Sequence, residues 1–91
     1  MIIEKLFNEL ELLLSDIAFA GFKNTQPVVL DKLTTIQQGL KELQMVEGYR
    51  LSDAFKQSLT LYHTGNSNAA DCADKLCSLE FYIKSVLGNL S

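Results

Sequence analysis

Ile3, Leu6, Phe7, Leu10, Leu13, Leu14 and Ile17 return every three or four positions along the start of the chain. That spacing follows the 3.6-residue turn of an α-helix and lays all seven on one stripe. Glu4, Asn8, Glu11 and Ser15 lie across from it. The stripe is broader than a coiled-coil seam, so such a helix needs more than one neighbour to cover it. The same period returns in three further segments, which restricts the chain to helix-on-helix packing.

The first helix runs from about Ile2 to Ala20, where Gly21 is a natural stop and "GFKNTQ" reads as a loop. The second begins near Gln26–Pro27, with Thr25 as its cap and Asp31 complementing the helix dipole. Its stripe is Val29, Leu33, Ile36, Leu40 and Leu43, and Glu47–Gly48 is its expected end. Gly39 sits beside that stripe at a cost of roughly 1 kcal/mol against alanine, placed for a close helix contact. The third helix is read as short, from a Ser52 cap with Asp53 in its first turn to a stop at Gly65. Leu51, Ala54, Phe55, Ser58 and Tyr62 share its inner face. The fourth starts at Asn66–Ser67–Asn68 and carries Ala69, Cys72, Leu76, Leu79, Ile83, Val86, Leu87 and Leu90 on its main stripe. Short connections make successive helices antiparallel. The expected fold is therefore all-α: a single domain over residues 1–91, an up-down-up-down four-helix bundle with a short third helix. Leu10, Leu13, Ile36, Leu40, Leu76, Leu79 and Ile83 are predicted to be among its most buried residues.

Composition narrows the function. A chain of 91 residues builds one core, and its 47% hydrophobic and 21% charged residues are those of a folded protein. The net charge is −3, and the seven lysines and Arg50 form no run. Binding to a phosphate backbone, which needs clustered cations, is not expected. No apolar run approaches the ~20 residues of a membrane span. Glu4 and Glu9 stand where an export signal would be apolar, so the two cysteines are expected to be free thiols in the cytoplasm.

Concentrated chemistry is confined to "LYHTGNSNAADCADKLC", residues 61–77, which holds the single histidine and both cysteines. Cysteines five apart on a helix point roughly 140° away from each other, so they neither share an ion nor bridge. The spacings that zinc favours are absent. Cys72 lies mid-stripe and is read as core. Cys77 lies off the stripe and is read first as a buried thiol, otherwise as an interface or reactive one. His63 is placed on the polar side of the third helix, near the carbonyl end of its dipole. Asp71 and Lys75 form an i,i+4 pair on a solvated face. The stretch reads as a helix hairpin, with no catalytic, metal or cofactor residue.

A helical enzyme gripping a dianion needs several cations inside the bundle. Here Arg50 is the one arginine, and Lys5, Lys41 and Lys56 fall on outward faces. The alternative to a non-catalytic protein is a small enzyme or ligand binder with a pocket lined by Tyr62, Tyr82 and Cys77.

One feature exceeds the needs of a single core. Leu12 and Phe19 lie opposite the main stripe of the first helix, with Phe22 just beyond. Ala70, Ala73, Cys77 and Phe81 form a second face on the fourth. Helices apolar on two sides ask for further partners. The sequence thus points to a helical interaction module, of the adaptor, chaperone or immunity-protein kind. Its candidate interface is Leu12, Phe19, Phe22, Ala70, Cys77 and Phe81, joined to a protein partner or to a second copy.

Overall fold

The computed structural model describes residues 2–90, Leu90 by its backbone alone, so that member of the fourth stripe lies outside the described side chains. Four α-helices follow one another: α1 (Ile2–Ala20), α2 (Pro27–Glu42), α3 (Val46–His63) and α4 (Ala69–Leu90). A 3-10 turn over Phe22–Asn24 links α1 to α2. They form the antiparallel four-helix bundle expected, 39 Å long and about 20 Å across.

Two helix ends behave as read. Gly21 takes φ 94°, a conformation that favours glycine, and stops α1. Pro27 opens α2, where its missing N–H has no helical partner to lose. Thr25, however, does not cap α2. Gln26 occupies that position, and the Thr25 hydroxyl instead donates to the carbonyl of Phe22 at 2.9 Å.

The boundary between α2 and α3 differs from expectation. α2 ends at Glu42, and α3 starts at Val46 rather than at Ser52; with 18 residues it is longer than the 16-residue α2. The third helix is not short. The connection is a Schellman motif: the Met45 N–H bonds the Leu40 carbonyl at 2.9 Å and the Gln44 N–H bonds Lys41 at 3.0 Å. Gln44 adopts φ 59° to make this turn, the left-handed position usually given to glycine. Ser52 lies buried inside α3, its hydroxyl donating to the Tyr49 carbonyl at 3.0 Å.

Gly48 serves packing instead of helix termination. A Cβ there would stand 3.0 Å from Cε2 of Tyr82 and 3.4 Å from Cδ2 of Leu40. Its absence lets the Tyr82 ring lie against the first turn of α3, with Phe7 of α1 at a centroid distance of 5.9 Å. Gly39 plays the same part between α1 and α2, where both methyls of Leu6 would meet an added Cβ at 3.2 Å.

The core runs through all four helices, with Phe7, Leu10 and Leu14 from α1, Leu33 and Leu40 from α2, Phe55 and Leu59 from α3, and Leu79 and Ile83 from α4 fully buried or nearly so. All seven residues expected at its centre are buried. Burying a side chain of this size contributes roughly 1.5–3 kcal/mol. Polar links join α3 to α2 and to α4. Buried Gln37 of α2 donates to Asp53 of α3 at 3.0 Å, whose second oxygen accepts from Gln57 at 2.7 Å. Ser58 of α3 donates to Asp71 of α4 at 2.5 Å. Among the described residues no side-chain hydrogen bond or ion pair crosses from α1 to another helix; its attachment is apolar.

Candidate interaction surface

The stretch from Leu61 to Cys77 folds as a hairpin. α3 ends at His63 and the chain turns at Gly65, φ 80°, in a second Schellman motif, with the Asn66 N–H on the Leu61 carbonyl at 2.7 Å and the Gly65 N–H on Tyr62 at 3.1 Å. Asn68 then caps α4, its side-chain oxygen accepting the Asp71 N–H at 2.8 Å.

Its polar residues have structural partners. The carboxylate of Asp71 accepts from Ser58 and also from Ser67 at 3.2 Å, with Lys75 Nζ 3.8 Å away. The Ser58 hydroxyl holds its carboxyl below the usual aspartate range; Ser67 and Lys75 add to this, and partial desolvation opposes it. Asp71 is thus a strap between α3 and α4 as well as the surface partner of Lys75. His63 faces outward, and its Nε2 donates to the Phe22 carbonyl at 2.9 Å, 41 residues away in sequence. That same carbonyl accepts from Thr25, so one oxygen ties the α1–α2 loop to the end of α3.

The two cysteines diverge as their spacing requires: Cys72 is fully buried, its sulfur 3.4 Å from the Ser58 hydroxyl, whereas Cys77 is exposed. Burial of Cys77, the first reading of that residue, is therefore corrected. It stands on the outer side of α4, away from the core stripe. Among the described residues no group of three or more histidine, cysteine, aspartate or glutamate side chains is arranged to hold a metal ion.

The imagined pocket of Tyr62, Tyr82 and Cys77 does not assemble. Tyr62 and Tyr82 pack against the core, and Cys77 lies some 140° around α4 from Tyr82. Burial pushes the Tyr82 phenol up; a hydrogen bond from the Gly48 backbone opposes the shift, and the charge of Glu47 adds to it. An open groove of 330 Å³ lies elsewhere, between α1 and α2. Buried Leu13 and Ile36 line it together with the exposed Leu12 and the charged Glu9, Asp16 and Lys32.

The six candidate interface residues separate into three groups. Leu12 and Phe19 stand on the outer side of α1, 66% and 95% exposed, and Leu12 also edges the groove toward α2. Ala70, Cys77 and Phe81 share the outer side of α4, where Phe81 is 77% exposed. Phe22 belongs to neither: it is half-buried, edge-on to Phe55 with ring centroids 6.3 Å apart. Its sequence position, just past a helix stop, carried no hint of that contact. Two apolar residues not singled out in the sequence, Ile2 and Val46, are as exposed as Phe81.

No family model, curated protein or solved structure matches this chain. What it does has to be read from its own surfaces. Among the described residues no helix is long and apolar enough to cross a membrane.

Proposed function

We propose that this chain is a small non-catalytic protein–protein interaction module of the cytoplasm, and that it pairs with a second copy of itself through the outer face of α1. The observation behind this reading is the exposure of Leu12 and Phe19 on a helix whose opposite side already buries Phe7, Leu10, Leu13, Leu14 and Ile17. Packing within the chain does not account for a phenylalanine left 95% in water. Removing such side chains from water is a main source of association free energy. The outer face of α4, with Phe81 and Cys77, offers a second surface for a different protein. An enzyme or small-ligand binder is the competing reading, and the mixed-charge groove beside Leu12 is the place it would use. The convergent buried polar groups that mark such sites are not found in its lining.

Sedimentation of the wild-type protein and of the double variant Leu12→Asp/Phe19→Asp tests the proposal. The wild type is expected to be a dimer and the variant a monomer with its helical circular dichroism intact. Two carboxylates at an interface disfavour association, and on a free chain they are solvated. A wild-type monomer whose stability ignores the double change would refute self-association. An unfolded variant would place both residues in the core and refute the face itself.

A further inference from the structure

We draw no further inference here: the strongest candidate, the open groove between α1 and α2 lined by Leu12, Leu13, Ile36, Glu9, Asp16 and Lys32, carries nothing because its charges are of both signs and nothing in the structure shows what covers it.

Discussion

Replacing Gln44 by glycine is expected to stabilise the fold. Gln44 closes the turn between α2 and α3 at φ 59°, where a residue bearing a Cβ costs ~1–2 kcal/mol. Glycine removes that cost but loses ~0.4–1 kcal/mol through its greater freedom in the unfolded chain. The net gain is about 0.5–1 kcal/mol, a sizeable share of the roughly 5–14 kcal/mol expected for a domain of this length. The turn's hydrogen bonds are made by backbone atoms and survive the change. Gly65 supplies the matched control, since it holds the same position in the motif that ends α3, at φ 80°. A Cβ added there meets nothing within 4 Å, so Gly65→Ala carries the backbone penalty less the unfolded-state gain, a net destabilisation of about 1 kcal/mol. Urea unfolding followed by circular dichroism measures both. With a slope near 1 kcal/mol per molar, typical of small domains, Gln44→Gly raises the midpoint by ~0.5–1 M and Gly65→Ala lowers it by about 1 M. Thermal midpoints move in the same directions, by about 4–8 °C per kcal/mol. A midpoint that stays or falls in Gln44→Gly, while Gly65→Ala loses its full amount, would show that backbone strain is not what distinguishes the two turns.

Gly48→Ala is expected to cost ~1–3 kcal/mol although alanine is the better helix former, because the new methyl meets the Tyr82 ring and Leu40. In a Tyr82→Leu background the same change becomes neutral or stabilising, and a denaturation double-mutant cycle without such coupling would remove Gly48 from the packing argument. Asp71 and Glu47 both have carboxyls held below their ordinary range, by Ser58 and Arg50 respectively as the leading cause. Their folded values lie below their unfolded ones, so their contribution is fully present above about pH 4 and lost as pH falls through the folded values. The stability difference between wild type and Asp71→Asn should therefore be constant from neutral pH down to about pH 4 and shrink below it. A difference that is the same at pH 2 and pH 7 in urea titrations would show that ionisation of Asp71 contributes nothing.

The parts of the fold legible in the sequence were those that follow from period. The stripes around Leu10, Leu40 and Leu79 placed the core because a helix buries what its period brings together. Gly39 could be read as a close contact because it sits beside such a stripe. The α2–α3 boundary was not legible, since its two cues are inverted: the left-handed turn residue is Gln44, and the nearby glycine makes room for Tyr82. Contacts between residues far apart in the chain were also beyond reach. Nothing near His63 indicates that its imidazole meets a carbonyl 41 residues earlier, and nothing near Phe22 foretells Phe55. Asp71 could be paired with Lys75 by helical spacing, while its hydrogen bond to Ser58 depends on how α3 and α4 cross. Of the candidate surface, the outward phase of Leu12, Phe19 and Phe81 was readable from the helical wheel.

The unequal attachment of α1 has a thermal consequence. α3 is tied to α2 and to α4 by directional links through Asp53 and Asp71, whereas among the described residues α1 adheres through apolar side chains such as Phe7, Leu10, Leu13, Leu14 and Ile17. Apolar adhesion weakens as water is cooled. α1 is therefore the element whose grip slackens first in the cold, where its amides should lose exchange protection ahead of those of α4. The helix that carries the exposed Leu12 and Phe19 is thus the one whose hold on the bundle depends most on temperature.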